Sequence, residues 1–277
     1  MATYPHVVVL GSNFAGLGSA QKIREYVGSD IRITVIDRKD YLLFVPNIPA
    51  DVFENRDPSL NQCLPLRPVL AADGIDFIQG EVTGIDPITK SISFTPNERL
   101  GAETQHLTYD YLVIALGNRL ALDEIEGFAE YGHTVVDLYH GNKLRRYLHE
   151  GGYQGGPIAI GSARFQQGNG AEGLEPYPGG KIPYALAACE GPPVEVMMTM
   201  ATWLKNHHFG GPEKITVFTP AELIAEDAGE TVVKQLLELA SGMGFHYVNN
   251  TQDIKCITKD AIELANGTRI EAELKIV

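Results

Sequence analysis

The chain has 277 residues, enough for one large or two ordinary domains with their own cores, and 44 % of them are hydrophobic. Its formal net charge of −13 argues against nucleic acid and against an anionic membrane surface as partners. No apolar run approaches the ~20 residues of a membrane span, no signal-peptide pattern opens the chain, and Cys63, Cys189 and Cys256 are too widely spaced for a zinc site and suit a reducing compartment or a redox role better than a disulfide scaffold.

Val7 to Leu10 reads as an apolar strand, Gly11-Ser12-Asn13-Phe14-Ala15-Gly16 as a turn opening a helix, and Ile31 to Ile36 as a second strand closed by Asp37. This is a βαβ unit of the dinucleotide-binding kind. Gly11 allows the tight turn, Gly16 lets helix and strand approach, and the helix N-terminus offers backbone N–H groups to a pyrophosphate. Asp37, about 20 residues beyond Gly16, stands where an acid accepts hydrogen bonds from a ribose. The middle glycine of the usual pattern is Asn13, which weakens the motif taken alone; an ordinary α/β turn with two glycines is the alternative. Tyr41 to Pro49 is an apolar loop with two prolines, suited equally to a wall against a flat aromatic ligand and to core packing.

Asp76 to Val82 predicts a third strand, and Ser91–Phe94 with His106–Thr108 a hairpin pair. Tyr109 to Gly117 is continuously apolar, as expected of a parallel strand covered on both faces. Asp123 to Gly156 reads as a connector with a helix near Asn142 to His149. Pro157 to Gly161 then starts a second α/β unit, followed by a loop rich in glycine and proline that reaches about Pro183. A helix is expected from Pro192, with Val194, Met197, Met198, Ala201 and Leu204 on one face. Ile215 to Phe218 is the next strand. Thr231 to Met243 is a helix with Val232, Leu236, Leu239 and Met243 on one face. The remainder alternates short strands, with Asn266-Gly267 expected as a type I′ turn and Leu274 to Val277 as a strand entering the core. His207-His208 suits a helix C-terminus better than a metal pair, and no metal site is expected.

Cys189 lies just before the predicted helix start, where the dipole and free N–H groups favour a thiolate; a small buried hydrophobe is the commoner state of a lone cysteine. Glu190 and Glu195 flank it and read as exposed carboxylates with a proton-relay role as the alternative. Cys63 and Cys256 read as structural. The second unit lacks two things that a nicotinamide dinucleotide needs: a short glycine turn after Ile160, and an acid or arginine after Phe218, where the sequence is Thr219-Pro220. A donor other than NADH is therefore expected, with Cys189 as its port.

The segments Gly11-Ser12-Asn13-Phe14-Ala15-Gly16-Leu17 and Tyr109-Asp110-Tyr111-Leu112-Val113-Ile114-Ala115-Leu116-Gly117 resemble flavoproteins with two dinucleotide-binding units. Within them, Ala188-Cys189-Glu190-Gly191-Pro192-Pro193-Val194-Glu195 resembles the reactive-cysteine segment of sulfide:quinone oxidoreductases, the archaeal-like branch in particular. Ala115-Leu116-Gly117 departs from the family's usual Ala-Thr-Gly. The resemblance implies an α/β fold of two Rossmann-like three-layer units, the second inserted in the first. It implies residues 1–120 as the first part of an FAD-binding domain, 121–156 as connector, 157–270 as a second unit with a degenerate NAD site, and 271–277 as the start of a return to the first. FAD is the implied cofactor, with Gly11, Asn13, Phe14, Ala15, Gly16, Asp37, Arg38, Pro46, Val82, Ala115 and Gly117 as contacts and Cys189 as the catalytic residue. Sulfide and quinone are the implied substrates, in a cytoplasmic protein with peripheral membrane association. The family's second bridging cysteine, quinone pocket, anchoring helices and flavin-binding Gly-Asp are expected beyond residue 277, since the chain holds no Gly-Asp dipeptide; its third cysteine, expected near Thr134 to Asp137, is absent. A type II NADH:quinone dehydrogenase-like enzyme and a non-catalytic FAD-binding module are the rival readings.

Overall fold

The computed structural model describes residues 4–98, 101–165 and 186–277. Most of the expected loop between Gly161 and Pro183 lies outside the described residues. In chain order the elements are β1 (His6–Leu10), α1 (Phe14–Val27), β2 (Arg32–Asp37), β3 (Tyr41–Leu43), α2 (Ile48–Phe53), α3 (Pro58–Asn61), β4 (Cys63–Pro65), α4 (Arg67–Ala72), β5 (Asp76–Asp86), β6 (Ser91–Pro96), β7 (Gln105–Thr108) and β8 (Tyr111–Ile114). There follow α5 (Phe128–Tyr131), β9 (Gly132–His133), α6 (Leu138–His149), β10 (Ile158–Gly161), α7 (Gly191–Asn206), β11 (Ile215–Phe218), α8 (Glu230–Met243), β12 (His246–Val248), β13 (Ile254–Ile257), β14 (Ala261–Leu264), β15 (Arg269–Glu271) and β16 (Leu274–Ile276). They form two interleaved Rossmann-like α/β units: residues 1–44 with 59–120, and residues 45–58 with 121–277.

The first unit carries a sheet in the order β7-β6-β5-β2-β1-β8, parallel from β5 to β8 and antiparallel at the β5-β6-β7 hairpins. Alternation along β1 sends Val7 and Val9 to one face and Val8 and Leu10 to the other. The first pair packs with Ala20, Ile33, Val35 and Leu70, and the second with Ile36, Ile92 and Phe94. Both faces of the central strands are thus covered, which explains their unbroken apolar runs. The expected hairpin of Ser91–Phe94 and His106–Thr108 is present.

The reading of Tyr109–Gly117 as a covered strand is corrected. β8 ends the sheet among the described residues, pairs with β1 on one side only, and leaves Tyr111 and Ile114 more than half exposed. Apolar composition reports what a strand is suited to contact, and an edge position leaves part of that surface open.

The second unit has a fully parallel sheet, β12-β11-β10-β16-β9, with an antiparallel β13-β14-β15 sheet beside it. β16 is wholly buried, as expected for Leu274 to Val277. Its Lys275 donates to the carbonyls of Lys259, Ala272 and Glu273 at 2.6, 3.2 and 3.0 Å, which satisfies a buried ammonium. On β9, His133 is buried and its Nδ1 has no partner. Burial, reinforced by the positive charges of Lys143 and Lys275, holds its pKa down to about 3.

Three local expectations change here. On α7 the buried seam is Val196, Met197, Met200, Ala201, Trp203 and Leu204, with Val194 and Met198 half-buried. On α8 the predicted inner face is largely the outer one: Val232, Leu239 and Met243 are exposed, Leu236 is half-buried, and Val233 and Ala240 are buried. That helix carries two apolar arcs, and periodicity alone does not choose between them. The Asn266-Gly267 turn is not type I′, because Gly267 has φ +88° while Asn266 is not among the residues of positive φ. A three-residue loop, Ala265 to Gly267, closes with Leu264 N–H donating to Thr268 O at 2.9 Å and Gly267 N–H to Leu264 O at 3.0 Å. This is the type I turn with a glycine bulge.

Candidate functional site

In the first unit, β1 ends at Leu10 and α1 begins at Phe14, so residues 11–13 form the turn. Gly11 has φ +92°, and a Cβ there would lie 2.2 Å from the Ala115 carbonyl oxygen. A Cβ on Gly16 would lie 1.9 Å from the Gly11 oxygen. Both positions therefore require glycine, one for conformation and space and the other for space alone. Ala115 closes the arrangement by donating its N–H to Leu10 O at 2.8 Å.

The N-terminus of α1 is open to an anion. No acid lies in its first turn and no side chain caps it, so its free N–H groups and dipole have no internal partner of that kind. Asn13, at the N-cap, has a buried Oδ1 without a hydrogen-bond partner. An uncapped helix end with free N–H groups, over two glycines that no side chain can replace, fits the pyrophosphate of FAD, whereas the Asn13 oxygen, an acceptor, calls for a hydroxyl or N–H donor rather than a phosphate.

Asp37 ends β2 and is half-buried. Its Oδ2 accepts from Ser12 N–H at 2.7 Å and Ser12 Oγ at 2.8 Å, and its Oδ1 accepts from Lys39 N–H at 2.9 Å. A carboxylate has about four acceptor positions, so one on Oδ1 is left for a ribose hydroxyl. Ser12, buried, is a residue that sequence reasoning passed over although it sits inside the motif.

The other expected contacts are distributed as follows. Phe14 and Phe44 are exposed and meet edge to face at 5.8 Å. In the loop Tyr41–Pro49, Leu42, Leu43, Ile48 and Pro49 are buried, as core packing requires, whereas Phe44 and Pro46 face out. Pro46 belongs to the second unit. Ala15 and Arg38 are exposed, and the Arg38 carbonyl accepts from Asn97 Nδ2 at 2.7 Å. Val82 lies on β5 at an irregularity opposite β6, packed under Phe94 and its neighbours. Gly117 follows β8 with φ +72° and open space around it.

In the second unit, β10, β11 and the start of α7 form the corresponding place. Cys189 is exposed, and its N–H donates to the buried Ser162 Oγ at 3.1 Å. Pro192 and Pro193 occupy the first turn of α7. Proline has no N–H, so this helix end lacks donors that α1 retains. Glu190, expected as an exposed carboxylate, is half-buried and bonded. It accepts from the Thr219 hydroxyl and, at 2.6 Å, from Ala225 N–H. Glu195 is exposed. Cys63 and Cys256 are half-buried, with Cys256 Sγ 3.6 Å from Glu263 Oε2, and burial pushes the Cys256 thiol up. His207 caps α7 and stacks on Trp203 at 4.3 Å.

The sequence profile of the family described as pyridine nucleotide-disulphide oxidoreductase matches residues 5–277. A sulfide-quinone reductase of Aquifex aeolicus is 29 % identical over 157 residues, 57 % of this chain and 34 % of that protein. A NADH dehydrogenase-like protein of Mycobacterium tuberculosis is 32 % identical over 177 residues, 61 % of this chain and 40 % of that protein. Among solved structures, the Aquifex aeolicus sulfide:quinone oxidoreductase is similar in fold, with a TM-score of 0.76 and 23 % identity over 98 % of this chain and 58 % of that one. The chain thus spans well under two thirds of the relatives it matches. No helix among the described residues is long and apolar enough to cross a membrane.

Proposed function

Because the chain belongs to the pyridine nucleotide-disulphide oxidoreductase family and is a flavin-dependent oxidoreductase of that superfamily, we propose that it acts as a sulfide:quinone oxidoreductase-like enzyme, oxidising sulfide at Cys189 and passing the electrons to a quinone. In this reading residues 1–120 hold FAD and residues 157–270 present the cysteine. Gly11, Asn13, Ala15 and Gly16 hold the pyrophosphate, Asp37 accepts from the ribose, Val82 offers its backbone to the adenine, and Gly117 lets the chain approach the cofactor. FAD, when bound, supplies two-electron oxidation and reduction.

The observation that carries the reading is the second unit's strand ends. An exposed cysteine, its backbone tied to Ser162, stands before a helix whose first turn contains two prolines. Thr219-Pro220 follows β11 with no acid to take a ribose. The place is poor for a dinucleotide and open for sulfur chemistry. The Cys189 thiolate would take the sulfur of hydrosulfide as a persulfide, the two electrons released passing to FAD when it is bound and the proton to solvent, while Ser162 holds the cysteine's backbone in place. The likeness to the Aquifex aeolicus sulfide-quinone reductase supports the same donor.

A second reading, a type II NADH:quinone dehydrogenase-like enzyme, is favoured by the 32 % identity to the Mycobacterium tuberculosis NADH dehydrogenase-like protein. Anaerobic flavin absorbance separates them, using FAD-loaded protein from the complete reading frame. Bleaching by sulfide and not by NADH, lost in Cys189→Ala, is the expected result. Bleaching by NADH would establish the second reading.

A further inference from the structure

In a parallel sheet of this kind a dinucleotide binds beyond the carboxyl ends of the strands, against the next helix N-terminus. In the second unit, whose sheet runs β12-β11-β10-β16-β9, the ribose side of that crevice lies between the end of β11 and the start of α7. We propose that Glu190 fills it from within and thereby sets the enzyme's donor specificity, excluding nicotinamide dinucleotides. The proposal rests on the sulfide reading above and names the residue responsible for the loss of NADH binding.

The geometry is that of a ligand replaced by a side chain. Glu190 is the N-cap of α7. One of its oxygens accepts from the hydroxyl of Thr219, the first residue beyond β11, and the other from Ala225 N–H at 2.6 Å. Charge-assisted bonds of this kind are the stronger class. Thr219 is fully buried and is itself fixed: its N–H donates to Val248 O at 3.0 Å, its carbonyl accepts from Thr251 N–H at 3.2 Å, and its Oγ accepts from Ala221 N–H at 3.2 Å. The carboxylate therefore joins the helix start to the loop beyond β11 through a partner that does not give way. The donors at the loop are spent on it, and a pyrophosphate or a ribose phosphate approaching them meets a negative charge. In the first unit the equivalent helix start carries Asn13, has no acid in its first turn and no side-chain cap. One fold thus has an open anion site and one occupied by its own acid.

The test is direct binding of NADH and NADPH, read by fluorescence titration of the FAD-loaded full chain, wild type against Glu190→Gly and Glu190→Gln. Glu190→Gln keeps the shape of the side chain and guards against a folding defect. Removing a close like charge is expected to tighten binding by about tenfold or more in Glu190→Gly and by less in Glu190→Gln; the missing proline donors keep the gain modest. No binding by wild type with binding by the variants supports the proposal. No binding by any of the three overturns it and leaves the sulfide reading standing. Tight binding by wild type overturns both.

Discussion

Ser12 gives both its backbone N–H and its hydroxyl to one oxygen of Asp37, at 2.7 and 2.8 Å. The acid that ends β2 is therefore also a brace for the turn that follows β1. Ser12→Ala removes one bond to a charged acceptor and is expected to cost about 2 kcal/mol while leaving FAD bound. Asp37→Ala leaves two Ser12 donors and the Lys39 N–H without their acceptor, so it is expected to cost more and to lose FAD. Urea unfolding and the flavin-to-protein absorbance ratio check both.

Gly16→Ala is expected to give protein without flavin and with a lowered melting temperature, because its Cβ would meet the Gly11 oxygen at 1.9 Å. Gly18, two residues along the same helix, has nothing within 4 Å of the place a Cβ would take. Gly18→Ala should keep full flavin and gain about 0.5–1 kcal/mol from helix propensity. Equal behaviour of the two variants in a thermal melt would contradict the packing described for the turn.

His133 gives the fold an acid limit. Its pKa of about 3 in the folded chain lies below the ordinary 6.5, so the unfolded chain binds the extra proton first. The stability it contributes is complete above about pH 6.5 and is lost progressively as pH falls toward 3. Between pH 7 and pH 5 the loss is on the order of 2 kcal/mol. His133→Phe should flatten the pH dependence of the urea midpoint over that range. His6 and His149, both held below their ordinary range chiefly by burial, keep a residual slope of the same sign.

The two arcs of α8 make opposite predictions. Val233→Ala removes a buried contact and should cost about 2 kcal/mol. Leu239→Gln changes an exposed position and should stay within about 0.5 kcal/mol of wild type. Chemical unfolding of the pair shows which arc faces the sheet.

The first βαβ unit was legible because its signals are local: glycines at fixed offsets, an apolar strand on each side, an acid at the end. The same holds for the start of α7, where Pro192-Pro193 marks a first turn. What was not legible depends on distant partners. β8 reads as a covered strand because composition does not say whether a neighbour exists on each side. Val232, Leu236, Leu239 and Met243 on α8 satisfy helical spacing as well as the residues that are buried. Asn266-Gly267 is the strongest short hairpin pair, yet the closure at Leu264 and Thr268 selects a longer loop. Glu190 looked like an exposed acid because its partners, Thr219 and Ala225, come from a loop some thirty residues later. Ser12 lay in view within the motif, and only its burial against Asp37 gives it a role.

The seat of Gly11 beneath the Ala115 carbonyl has a kinetic meaning. The glycine turn is contiguous in sequence, but its shape is completed by a strand about a hundred residues later, through the Ala115 N–H to Leu10 O bond and the β1–β8 pairing. Closing so large a loop costs entropy before the contact returns anything, which makes this a high-contact-order step. A nascent chain that has not yet emerged past Ala115 holds every residue of the motif and lacks the surface against which the turn is set. Cofactor capture therefore belongs after β8 has docked on β1.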